Sequence, residues 1–335
     1  MPLPLTTLCV DRSLTSAKVR LPGLILVLLL ATFLAGCAGV PVSIARTAAG
    51  HCDPPLSYRY DPAFLPREDV EANLTPELLA RYSRRNLLSA NAVGILPALQ
   101  KLVTLQNGKR QGSDVTRELA VLRQQQLVLT RIVLAGSTIS SLAAELDCEG
   151  ERADQMASRL ADLDDIRTQR LNVLSITVGA LSGIATTVGE SRRTQNIAGV
   201  GGGLLGAGLG LLTLRQSGHT EDFQHPRNLL TDVWNGNSAS SIWPPSVWYM
   251  LTRPVFSNSG QTSIANNTRE RWKKQGHFED PDAPGNVKLT ALLFGSGGTY
   301  SSEQLKLRAD MLNELQSSVR LLNQELQGLL LAILE

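Results

Sequence analysis

The sequence predicts an all-α protein: an elongated antiparallel helical bundle with coiled-coil-like packing, a Gly-rich helical hairpin and one irregular aromatic-rich insert. Three observations carry this prediction. Apolar residues recur at helical spacing along most of the chain. No Phe, Tyr or Trp occurs from Ser83 to Gly218, nor from Ser301 to the end. Ten of the fifteen aromatic residues, all four Trp among them, and six prolines fall instead between His219 and Tyr300. The expected organisation is a leader (1–36), an N-terminal tether (37–75), a helical bundle with its hairpin (76–218, hairpin 171–214), the aromatic insert (219–300) and a heptad helix returning to the bundle (301–335).

The leader comes first. Lys18 and Arg20 precede an apolar run from Leu21 to Phe33, and small residues follow. That is the pattern of a secretory signal peptide, and the run is short for a transmembrane helix. The ending Leu34-Ala35-Gly36-Cys37 resembles the lipobox of bacterial lipoproteins. The resemblance covers the first 37 residues and implies cleavage before Cys37 and acylation of its thiol. The residue after Cys37 is Ala38. By the rule of that class, the lack of Asp there implies the outer membrane of a Gram-negative bacterium, with the protein facing the periplasm.

The address sorts the cysteines. Cys9 leaves with the leader and Cys37 takes lipid, so Cys52 and Cys148 remain. Two thiols in an oxidising compartment point to a disulfide, the alternative being two unpaired cysteines. Residues 38–75 are rich in Pro and lack clear periodicity, the character of a tether.

Thr75-Pro76-Glu77 reads as an N-cap followed by Pro at the first helical position, opening a helix toward Asn107-Gly108 with a break near Gly94 and Pro97. The next helix starts at Ser113. Val115, Leu122 and Leu129 repeat every seven residues, as do Ile132, Ile139 and Leu146, and predict one continuous apolar stripe. Gly150 is expected to end that helix. A further helix carries Met156, Leu160, Leu163, Leu174, Leu181 and Val188 inward.

Two uncharged stretches, Leu171 to Gly189 and Thr194 to Leu214, flank Glu190-Ser191-Arg192-Arg193 and predict the hairpin. Gly179 and Gly183 lie one turn apart, and Gly202, Gly206 and Gly210 form a ladder that lets helix backbones approach closely. The composition is similar to the glycine-zipper segments of some outer-membrane lipoproteins. Burial in the bundle or in an oligomer interface, stable membrane insertion and conditional insertion all remain open. Gly201 to Gly206 also satisfies G-x-G-x-x-G, but no strand precedes it and no βαβ unit surrounds it.

Within the insert, His225 to Asn235 predicts a short helix closed by Gly236, Trp243-Pro244-Pro245-Ser246 opens another, and Val287 to Phe294 has weak strand character. Ser301 with Gln304 forms a capping box. From there Leu305, Leu312, Val319, Leu326 and Ile333 fill one heptad row and Leu315, Leu322 and Leu329 the next, with Arg308 the one exception.

Composition limits the functions. The whole chain and its leader each carry a net charge of +2, so the mature protein is near neutral and nucleic-acid binding is excluded. His219-x-Glu221-Asp222-x-x-His225 suggests a metal site, but its histidines are six apart rather than four. No metal, cofactor or catalytic residue is assigned. Trp243, Trp248, Tyr249 and Trp272 are candidates for a ligand or partner surface, the more common alternative being that such rings form the segment's own small core. The sequence thus points to a non-enzymatic, lipid-anchored envelope protein that serves assembly, held to the membrane through Cys37, with a protein partner or self-association. A membrane-active protein using the hairpin is the alternative, which resembles helical pore-forming toxins in architecture alone. An envelope enzyme or glycan binder using 219–300 is the third reading.

Overall fold

The computed structural model describes residues 51–54, 60–108, 115–188, 218–275, 278 and 283–335, with isolated positions at 200, 204, 207 and 208. These residues form an all-α bundle with one two-stranded ribbon. Three short helices, α1 (Pro76–Arg81), α2 (Arg84–Ala92) and α3 (Leu96–Asn107), lead into α4 (Val115–Val188). Strand β1 (Thr220–Gln224) follows, then α5 (Leu230–Asn235), α6 (Pro245–Thr252), α7 (Ile264–Gln275) and α8 (Pro284–Phe294). Strand β2 (Gly297–Ser301) runs directly into α9 (Ser302–Leu334).

The bundle axis is the antiparallel pair α4 and α9. Ser302 Oγ donates to the Ala157 carbonyl at 2.8 Å, Lys306 pairs with Asp154 at 2.7 Å, and Gln316 donates to Asp147 at 2.6 Å. As α9 advances, its partners on α4 recede. The heptad rows explain the contact: Leu305, Leu312, Leu315, Val319, Leu322, Leu326 and Leu329 are all buried. They meet Val128, Ile132, Ile139, Leu142, Leu146, Ala153 and Leu160 of α4 in one core. Ser301 caps α9 as expected, with Gln304 Oε1 returning to the Ser301 N–H at 2.9 Å.

The structure corrects several boundaries. Gly150 does not end a helix. α4 runs unbroken for 74 residues, about 110 Å at 1.5 Å per residue. Gly150 instead lies close against α9: a Cβ there would lie 2.8 Å from Asn313 Oδ1 and 3.6 Å from Leu312 Cβ. The single apolar stripe expected from 115 to 146 is two faces, because Val115, Leu122 and Leu129 are exposed while Ile132, Ile139 and Leu146 are buried. The inward row also fails past Leu160. Leu163, Leu174 and Leu181 are exposed, because α9 begins opposite Ala157 and covers nothing beyond it.

Toward the N-terminus, the expected break near Gly94 and Pro97 separates α2 from α3, and a second, unexpected break divides the stretch from Thr75 to Asn107 into three helices. Ser83 caps α2 by accepting from the Asn86 N–H at 3.1 Å, which ends α1 one turn after it starts. The supposed tether joins the body before residue 75. Val70 is buried, and Asn91 holds the Arg67 backbone through both its N–H (3.1 Å) and its carbonyl (2.9 Å).

The aromatic segment folds as a cap of short helices on α9. Gly236 closes α5 with φ +67, a conformation glycine adopts without Cβ strain. Val287 to Phe294 is helical in α8 rather than a strand. Its apolar run is too short to distinguish the two by periodicity, and Pro284 at the first helical position starts the turn.

Candidate functional site

The disulfide comes first because it joins the N-terminal segment to the bundle. Cys52 and Cys148 are bridged across a sequence separation of 96, with Cα atoms 5.6 Å apart. Cys148 lies in the middle of α4, not in a turn after a helix end. Cys52 is therefore held at the middle of α4.

Charges are buried beside this attachment. Glu145 is buried and accepts from Arg227 Nε at 2.5 Å, while Arg227 also donates to the Ile242 carbonyl at 2.7 Å. Burial raises the Glu145 carboxyl, against the lowering effect of the Arg227 bond. One turn on, Glu149 accepts from Arg152 at 2.8 Å, and Arg152 donates to the Gln224 carbonyl at 2.8 Å with its guanidinium over the Phe223 ring. These contacts tie α4 to β1.

The pattern continues into α9. Arg308 is 1 % exposed, and both terminal nitrogens reach Asn228 Oδ1 at 3.3 Å. One of them also donates to the Leu293 carbonyl at 2.9 Å. Asn228 returns bonds to the Leu293 and Gly295 carbonyls at 2.9 and 2.8 Å. Tyr300 of β2, paired in register with Glu221, and His225, just past the end of β1, complete the cluster through their side chains. The Tyr300 hydroxyl donates to the Leu292 carbonyl at 2.7 Å, so its one proton is committed. His225 Nε2, 2.8 Å away, therefore carries its proton and donates to the phenol oxygen.

That leaves His225 Nδ1 without its proton, and among the described residues it has no hydrogen-bond partner. Burial first, then the Arg308 and Arg152 guanidiniums, pull the imidazole down to about 3. Burial pushes the Tyr300 phenol up to about 12 and Arg308 down to about 10. At neutral pH His225 and Tyr300 are uncharged and Arg308 is charged. The cluster is closed to solvent and joins α4, the ribbon, the α8 end and α9. It suits locking these elements together rather than receiving a substrate.

The remaining candidates fall into different places. Trp243, Trp248, Tyr249 and Trp272 are buried, so as a set they do not form an exposed partner surface. Burying their large rings is what gives the cap a core: Trp234 stacks on Phe294 at 4.3 Å, Trp243 lies 5.7 Å from Trp248, and Trp272 donates to Glu314 at 2.9 Å. Tyr249 alone reaches an opening, a groove of about 690 Å³ between the 68–72 segment, α2 and the 253–260 loop. Its arginines are matched by carboxylates: Arg84 with Glu71 at 2.6 Å, Arg85 with Glu325 at 2.5 Å, and Arg253 with Glu68.

His219 and His225 do not come together as metal ligands. His219 bonds Asp164 through its backbone N–H and ring Nδ1, and His225 turns into the core. Among the described residues, no three His, Cys, Asp or Glu side chains converge on a metal position.

Gly202, Gly206 and Gly210 lie outside the described residues. Gly179 and Gly183 lie in α4, where a Cβ at either would meet no atom within 4 Å. From residue 161 to 181 no side chain is buried, and Val173, Leu174, Ile176 and Leu181 are exposed, Ile176 at 71 %. The stretch Val115–Leu181 contains an 18-residue window of mean hydropathy 1.6, a third of it buried, a criterion that core helices also meet.

Sequence reading missed Glu145, Glu149 and Arg152. Their signal was present: Glu149 stands three residues after Leu146 and four before Ala153, inside the core row of α4. No family model, no curated protein and no solved structure matches the chain.

Proposed function

We propose that the chain is a lipid-anchored protein of the Gram-negative cell envelope, a non-catalytic assembly component whose helical bundle is held at the outer membrane facing the periplasm. The observation that carries this reading is the Cys52–Cys148 bridge. It fits an oxidising compartment, and it fixes Cys52, fifteen positions after Cys37, to the middle of α4. An acyl chain on Cys37 would then be tied to the bundle by a short leash, a few tens of ångströms at full extension. Metabolic labelling with a radioactive fatty acid tests it. Label in the wild type and none in Cys37→Ser, which accumulates uncleaved, is expected. An unlabelled wild type released with soluble periplasmic proteins contradicts it.

A membrane-active role is the second reading, favoured by one observation: the apolar side chains of α4 between Val173 and Leu181 stand clear of the described bundle. Leakage of vesicles on addition of the protein, abolished in Ile176→Asp, supports it. Vesicles that stay intact at saturating protein contradict it.

A further inference from the structure

Val115, Leu122 and Leu129 recur every seven residues, and Leu119, Gln126 and Val133 follow each by four. This is the four–three spacing of a coiled-coil seam, with the first set at d and the second at a. The five apolar members are exposed at 70, 60, 40, 48 and 72 % for Val115, Leu122, Leu129, Leu119 and Val133, and Gln126 is exposed as well. At 3.6 residues per turn this row lies on a different face of α4 from Val128, Ile132, Ala135 and Ile139, which pack in the core. The described residues leave the seam unused.

The flanking charges say what fits it. Glu118 occupies a g position and Arg123 the following e position, and both are exposed. In a parallel, in-register pair of identical helices, a g residue faces the e residue five positions on in the other copy. Glu118 and Arg123 are five apart, so two-fold symmetry forms this ion pair twice. An antiparallel pair sets g against g and e against e, and offers Glu118 no opposite charge. Gln126 adds a polar residue at one a position, where it meets its own counterpart and fixes register.

We infer that Val115–Val133 of α4 is a self-association seam that docks a second copy of this chain in parallel, in register. The inference deepens the assembly reading by naming the partner. A parallel pair also sets both Cys52–Cys148 bridges at one level along the dimer, as two chains anchored in one membrane require.

Single cysteines at Val115, Leu122 and Leu129, each in the full-length chain in membranes, test the seam. In the parallel pair each faces its own counterpart at disulfide distance, so each variant should run as a covalent dimer under mild oxidation, while Leu134→Cys, exposed but off the seam, stays monomeric. In non-covalent form, Glu118→Arg or Arg123→Glu alone should weaken dimerisation about fivefold or more, and the double swap should restore it. Three monomeric cysteine variants in a chain that still fractionates with membranes would overturn the seam and leave the anchor reading standing. Crosslinking of Leu122→Cys to a different protein, or dimers at Leu122 but not at Val115 and Leu129, would overturn it too.

Discussion

Arg308 occupies the one core position of α9 where the heptad row lacks an aliphatic residue, and both its terminal nitrogens meet Asn228 Oδ1 at 3.3 Å. A charge at that depth persists because Asn228 orients it and the Leu293 carbonyl completes its bonding. Asn228→Ala removes that acceptor and the donor to the buried Leu293 carbonyl and the partly buried Gly295 carbonyl. It should lower unfolding stability by about 2–4 kcal/mol in chemical denaturation. A loss below about 0.5 kcal/mol would mean the cluster does not lock the ribbon to α9.

The same cluster sets an acid limit. The folded His225 value of about 3 lies below the ordinary value near 6.5, so the neutral form is favoured by folding. Its contribution is complete above pH 6.5 and is lost as pH falls toward 3, on the order of 5 kcal/mol in all. His225→Phe should flatten stability against pH across that window, although it also loses the bond to Tyr300. Urea midpoints measured from pH 7 to pH 4 check the difference in slope.

Close approach at Gly150 makes its size decisive. Alanine there displaces only the end of the Asn313 side chain and gains helix propensity, so Gly150→Ala should change stability by no more than about 1 kcal/mol. Gly150→Leu meets the Leu312 Cβ side of α9 and should cost about 1–3 kcal/mol, read as a lower Tm.

Removal of the bridge should be felt globally. Cys52→Ser frees a loop of 96 positions and should cost about 2–5 kcal/mol, with the spectroscopic helix content retained below the transition. Equal melting of the reduced and oxidised protein would contradict this.

The distal part of α4 should behave in the opposite way. Because Ile176 is 71 % exposed, Ile176→Asp should leave the unfolding stability of the body unchanged within about 0.5 kcal/mol. By contrast, Leu142→Ala, fully buried in the core, should cost about 2–5 kcal/mol.

The architecture was legible where a pattern repeats. The α9 rows, its capping box and the α5 stop at Gly236 are local signals, and each element follows them. Gly150 was misread because a glycine in a helical pattern signals either a stop or a close neighbour, and only α9 distinguishes them. Ser83 was missed as a cap because its neighbours Arg84 and Arg85 lack the acidic first turn that usually marks one. The insert's rings read either as a surface or as the segment's own core, and the second holds; composition says nothing about which rings find each other. Arg308 was visible as an exception in its row, but its partner Asn228 lies 80 positions away and no spacing connects the two.

One measurement bears most directly on the anchored bundle. Intact and peptide mass spectrometry of the protein taken from membranes reads the N-terminus, the acyl groups and the disulfide together. A chain that begins at Cys37, carries acyl mass on that residue and yields a linked peptide pair containing Cys52 and Cys148 is the predicted result. A chain that begins at Met1, or an unmodified Cys37 beside free Cys52 and Cys148 thiols, contradicts the account.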